Sequence, residues 1–161
     1  MLWAGPLRAE TLNVRISVVS LSPARVKVEG ERSSGARAWS FRNIYAGVMN
    51  LGERIENLSL SDSGGGRVAV RKLAPGEFEA AAAATRFSYE VKLDPPDFGS
   101  DASHVSWLTS ERGFLMLGDL LPLSNEKGEA KSGAAVQLAL LPERWTIASS
   151  ARAETENRFD V

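Results

Sequence analysis

The stretch TRFSYEVKL, residues 85–93, alternates polar and apolar side chains without interruption. Phe87, Tyr89, Val91 and Leu93 fall on one side of an extended chain, and Arg86, Ser88, Glu90 and Lys92 fall on the other. A period of two belongs to a strand with one face in a core and one in water, because successive Cβ atoms point to opposite faces. The same period recurs outward from here. In TLNVRISVV (11–19), Leu12, Val14, Ile16 and Val18 oppose Asn13, Arg15 and Ser17. In RVKVEGE (25–31), Val26 and Val28 oppose Arg25, Lys27 and Glu29. GFLMLGDLL (113–121), AAVQLALL (134–141) and RWTIASS (144–150) read as further strands, and RFDV (158–161) as the start of another.

Turn signals punctuate these runs at Pro23, Ser33-Ser34-Gly35, Ser63 to Gly66, Pro75-Gly76, Pro95-Pro96-Asp97 and Asn125 to Gly128. Short strands separated by such turns predict an all-β fold, mainly an antiparallel β-sandwich or a saddle-like sheet, with at most one or two short helices. Two segments compete with that pattern. Ile44, Val48, Leu51 and Ile55 are spaced as a helical stripe, which Gly47 and Gly52 weaken, so a short helical turn followed by a strand through IENLSLSD (55–62) is expected. The alanine run EAAAAAT (79–85) favours helix locally, but it leaves no room for one before Phe87 and is read as strand.

The length of 161 residues suits one domain with a real core. Residues 1–10 are read as a disordered N-terminus or signal remnant, 11–150 as a β domain, and 151–161 as the start of a connection to a downstream domain. The small-residue pattern "LRA" before Glu10 gives an expectation of export, periplasmic or extracellular. A net charge of -1 without a dense basic run excludes a general polyanion binder, so no nucleic acid is expected. No apolar run approaches the ~20 residues of a membrane span, so no membrane insertion is expected. The absence of cysteine excludes disulfides, Cys-ligated zinc and thiol catalysis.

The chemistry-bearing residues are sparse. His104 is the one histidine, and without an H-E-x-x-H pair it reads as a hydrogen-bonded loop residue rather than a metal ligand. Ser103 and Ser106 flank it, but neither sits in a G-x-S-x-G turn. The glycines of SDSGGGRV (61–68) lack the Lys-Ser/Thr of a phosphate loop and read as a hairpin. Asp94, Asp97 and Asp101 lack the spacing of a calcium loop. Trp39 and Phe41, two apart, share a face, and so do core residues more often than sugar-stacking rows.

From Phe87 onward the order of segments resembles the N-terminal domain of the glycyl aminopeptidase family, gluzincin zinc metallopeptidases that often carry a PDZ domain. The residues that carry the resemblance are Tyr89-Glu90-Val91, His104, Gly113 with Pro122, and Pro142-Glu143-Arg144-Trp145, with Trp39, Arg54 and the LSLSDSGGGRVAV hairpin upstream. It spans roughly Leu12 to Ser150. The family's Pro-Gly-Ser-Tyr element has no counterpart, since SFRNIY follows Trp39. The resemblance implies a bacterial hydrolase whose β domain is itself non-catalytic, with no metal or cofactor in this chain. Zinc is expected in a catalytic domain outside it, where the metal would polarise the scissile carbonyl and a glutamate would act as base. The partners implied are that downstream catalytic domain and, indirectly, a peptide substrate. His104, Trp107 and Arg112 are then expected to line a domain interface or the rim of a cleft. The competing reading is a free-standing β-sandwich module that binds peptides or glycans through an exposed row of Trp39, Phe41 or Trp107. A third, a small hydrolase built on Ser103 or Ser106 with His104, predicts activity in the isolated chain.

Overall fold

The computed structural model describes residues 11–123, 133–155 and 157–161. Eleven strands follow in order: β1 (Thr11–Leu21), β2 (Ala24–Ser40), β3 (Ile55–Ser61), β4 (Arg67–Val68), β5 (Val70–Ala74), β6 (Glu77–Lys92), β7 (Trp107–Leu108), β8 (Gly113–Phe114), β9 (Gly133–Ala139), β10 (Arg152–Thr155) and β11 (Arg158–Asp160). Nine of them form one sheet in the order β10-β11-β9-β1-β2-β6-β3-β4, with β5 also paired to β6. The pairings are antiparallel except β1 with β9, which run parallel. β7 and β8 make a separate small ladder. The helical segments are short: 3-10 turns over Leu51–Arg54 and Gly99–Ser103, and a single α turn, α1, over Leu117–Leu120. The fold is all-β.

The register carries the alternation into the core. Leu12, Val14 and Ile16 of β1, Val26 and Val28 of β2, and Phe87, Tyr89 and Val91 of β6 are all buried on one face. Gly30 pairs with Phe87, and a Cβ on Gly30 would stand 2.4 Å from the Asn13 carbonyl and 2.8 Å from the Phe87 ring. The aromatic ring therefore uses the space that glycine leaves.

The sheet folds over on itself. Val28 pairs with Tyr89, and Phe41 lies thirteen residues further along the chain. A straight strand would carry it about 40 Å away. Instead the Phe41 and Tyr89 rings meet edge-on with centroids 4.9 Å apart, and Trp39 meets Phe87 at 5.5 Å. The bend lies where the β2–β6 ladder breaks, between Glu31 and Ala36 and between Ala36 and Ala38. Opposite that break β6 supplies Ala80 to Ala84, of which Ala80 and Ala84 are buried and small enough to let the bent sheet close there. Burying Trp39, Phe41 and Tyr89 there contributes on the order of 2–3 kcal/mol each. The alanine run is strand, as expected.

Several local expectations are corrected. Ser33-Ser34-Gly35 is no turn; β2 continues through it, bulged. The short helical turn and the strand after it form as expected, at Leu51–Arg54 and Ile55–Ser61, but the stripe does not start at Ile44: Ala46, Gly47 and Asn50 have positive φ of 47°, 88° and 62°. The expected strand GFLMLGDLL keeps only Gly113–Phe114 before turning helical at Leu117. RWTIASS forms no strand, while RFDV supplies β11. The expected turn at Asn125 to Gly128 and residues 1–10 lie outside the described residues. β10 and β11, in the stretch read as a connection, extend the sheet.

Candidate functional site

The segment from Val105 to Leu123 crosses the buried face of the sheet with little regular structure of its own; Leu108, Leu120 and Leu121 join the core, and a few polar contacts fix the rest. Asp119 lies in α1 and is 1% exposed. Its Oδ2 accepts from Arg54 Nη2 at 2.7 Å and from the Ser106 backbone N–H at 2.9 Å. Its Oδ1 accepts from the Ser106 hydroxyl at 2.6 Å. Arg54 also donates from Nη1 to the Ser106 carbonyl at 3.0 Å, and Met116 N–H donates to Ser106 Oγ at 2.7 Å. One carboxylate thus ties the 3-10 turn before β3, the start of β7 and α1 into a single clamp. Inside the core, a cation and two further donors take the place of the water this carboxylate gives up. The segment is stitched down beside the clamp as well. Tyr89 Oη donates to the Leu120 carbonyl at 2.6 Å, Leu108 N–H to Leu93, and Leu123 N–H to Ser40. Burial without a neighbouring charge pushes the Tyr89 phenol well above its ordinary value, so it remains a donor.

The three residues expected at a rim are partly brought together. Arg112 places its guanidinium 6.0 Å from the centre of the Trp107 ring, whose indole N–H donates to the Ala102 carbonyl at 2.7 Å. His104 is exposed and faces Tyr45 instead, with ring centroids 6.5 Å apart. Tyr45 in turn lies under Arg42 at 4.6 Å. Asp119, Arg42 and Tyr45 were not singled out by sequence reasoning. The one signal for Asp119 is a lone carboxylate inside the apolar run GFLMLGDLL, a placement that calls for a buried partner.

This chemistry is structural rather than hydrolytic. The Ser106 hydroxyl is fully buried and committed to Asp119, so no substrate carbonyl can reach it. Ser103 Oγ donates to the Ser100 carbonyl, and neither serine hydroxyl bonds to the imidazole. Among the described residues no group of three or more His, Cys, Asp or Glu side chains is placed to hold a metal ion. Trp39 and Phe41 are buried in the core, which removes two of the three aromatics that the peptide- or glycan-binding reading requires. A shallow depression on the opposite, polar face of the sheet is lined by charged side chains, Arg15, Glu29, Glu31 and Arg86 among them, rather than by rings.

No protein-family model and no curated protein sequence matches the chain. The fold does match a solved structure. The chain is similar to part of a crystal structure of an aminopeptidase N family protein from Idiomarina loihiensis, with a TM-score of 0.67 and 15% identity. The similarity covers 93% of this chain but 27% of that one. At this identity the likeness establishes the shared fold, and the chain spans about a quarter of the protein it matches.

Proposed function

We propose that this chain is the non-catalytic N-terminal β domain of a zinc-dependent aminopeptidase of the glycyl aminopeptidase type, packing on a catalytic domain outside it and helping to shape its substrate cleft. The observation that carries this reading is the asymmetry of the fold likeness: nearly all of this chain matches about a quarter of an aminopeptidase N family protein. The clamp on Asp119 ties its segment to the sheet through several contacts at once, as a part that has to hold its shape against a neighbour would be built. No catalytic step is routed through this chain. Its part is mechanical, to hold loops such as Val105–Leu123 in one geometry where a neighbouring domain meets them. Trp107 with Arg112, and His104 with Tyr45, supply the aromatic and cationic surface for that contact.

The test is to read the source gene past Val161 and assay both products. An open frame carrying H-E-x-x-H and a downstream glutamate is expected, with the 161-residue chain inert toward aminoacyl-p-nitroanilides and the whole product active. A stop codon after Val161 overturns the reading, as does hydrolysis by this chain alone.

A further inference from the structure

The loop Arg42–Asn50 shows large apolar side chains to solvent and is held rigid in doing so. Ile44 is 57% exposed, Met49 63% and Tyr45 38%, three within six residues. The loop is not slack. Tyr45 and Val48 exchange both backbone hydrogen bonds, at 3.0 and 2.8 Å. Asn43 receives the Leu51 N–H on its carbonyl and the Gly52 N–H on its side chain. Ala46 is held at a positive φ of 47°, which alanine adopts only when its surroundings impose it, and Asn50 turns the chain at 62°, a value asparagine tolerates well. Hydrogen bonds and disfavoured backbone are thus spent on displaying Ile44, Tyr45 and Met49 rather than on burying them. Large apolar side chains exposed this close together in one loop mark an interaction surface.

Arg42 gives the partner's chemistry. Its guanidinium carbon sits 4.6 Å from the centre of the Tyr45 ring, and the group covers Gly118, where a Cβ would stand 3.2 Å from Nη1. The fork is therefore fixed from two sides. Yet among the described residues no carboxylate pairs with it. The nearest candidate by sequence, Asp119, has both oxygens occupied by Arg54 and Ser106. A pre-aligned guanidinium with unspent donors, half-buried beside apolar groups, fits a carboxylate arriving from outside. No acidic side chain stands within the loop Arg42–Asn50 to compete for it.

We infer that the Ile44–Tyr45–Met49 surface around Arg42 is the docking face for the catalytic domain, which meets it with apolar side chains and places one carboxylate on Arg42. This rests on the front-domain reading and adds to it the surface and the charge of the partner.

Hydroxyl-radical footprinting of the whole gene product tests it, with Leu140, 70% exposed, as the internal reference. Met49 and Tyr45 should be labelled several-fold more slowly than their exposure in this chain dictates, while Leu140 stays fast. Arg42→Glu should restore fast labelling of Met49, and Arg42→Lys should restore it only in part. Ile44→Asp, on the exposed loop where folding does not depend on it, should act in the same direction, so a misfolded Arg42 variant does not decide the matter. If the product is an active zinc peptidase and Met49 is labelled as fast as Leu140, this inference is wrong and the front-domain reading stands. A frame without a zinc motif brings both down. Protection that appears in the 161-residue chain alone and grows with its concentration would mean that a second copy is the occupant, which also overturns the inference.

Discussion

The bent sheet and the Val105–Leu123 segment lie against each other and share one apolar core, but only the segment also depends on a polar clamp. The sheet is redundant. Its core draws on β1, β2, β3, β6 and β9, and each buried side chain leans on several others. The segment adds Leu108, Leu120 and Leu121 to that core, but its polar ties are few and three of them converge on Asp119. Redundant apolar packing spreads the damage of any one loss through the whole core. A clamp concentrates it, because removing one partner strands the others without water or charge.

The sharpest way to break this contrast is to compare Trp39→Ala with Asp119→Ala. Both should be costly, about 3–5 kcal/mol, the first by opening a cavity at the fold of the sheet and the second by leaving Arg54 without its counter-charge. The sites of damage should differ. Trp39→Ala should lower protection against hydrogen exchange throughout β2 and β6. Asp119→Ala should lower it first across Val105–Leu121, with the β1–β2 ladder less affected. If the two variants loosen the molecule in the same pattern, the segment is simply part of the sheet's core and the clamp has no separate role.

A smaller effect sharpens the claim of redundancy by finding where it ends. Gly30 sits beneath Phe87, with a backbone carbonyl of the neighbouring strand 2.4 Å from the position of a Cβ. Backbone cannot give way as a side-chain tip can. Gly30→Val should therefore destabilise by about 1–3 kcal/mol despite its high strand propensity, read as a fall in denaturation midpoint at unchanged slope. A neutral or stabilising outcome would show that the strands slide enough to admit a side chain, and that the register around Phe87 is softer than its pairing.

The same contrast explains what the sequence made legible. β1, the first half of β2 and β6 announce themselves because every second residue meets the same apolar environment, so local pattern and global burial agree. Pattern fails where the deciding partner is remote. GFLMLGDLL has the composition of a strand, but Asp119 is drawn in by Arg54, 65 residues away, and the chain turns helical there to deliver it. RWTIASS alternates correctly yet finds no ladder, since the edge of β1 is already taken by β9 and that of β9 by β11. Ser33-Ser34-Gly35 is a turn by composition and a bulged bend by context, because β6 runs on beside it. At the candidate surface, His104, Trp107 and Arg112 stood out by residue type alone. Arg42 and Tyr45 did not, for nothing local shows a guanidinium laid between a ring and a distant glycine.

The smallest expected effect lies on the polar face, where side chains rather than packing set the balance. Glu56 and Glu90 stand directly opposite each other on β3 and β6, an arrangement that repels unless it is bridged. Lys92 at 2.6 Å and Arg25 at 2.5 Å bridge it at Glu56, and Arg25 reaches Glu90 at 3.3 Å. Hydrogen bonds from Lys92, then from Arg25, hold the Glu56 carboxyl below its ordinary 4.5, against an opposing contribution from burial. A lowered value in the folded state means that the unfolded chain takes up the proton first. The stabilisation is then complete above the ordinary value and is lost as pH falls through the depressed one. Glu56→Gln should thus cost little at low pH and more near neutrality, flattening the acid limb of the stability curve while leaving the exchange pattern of Val105–Leu121 untouched. Salt should shrink the difference, because these side chains are partly exposed. A variant that loses the same stability at every pH would place the role of Glu56 in packing, and the polar face would then follow the same rule as the core.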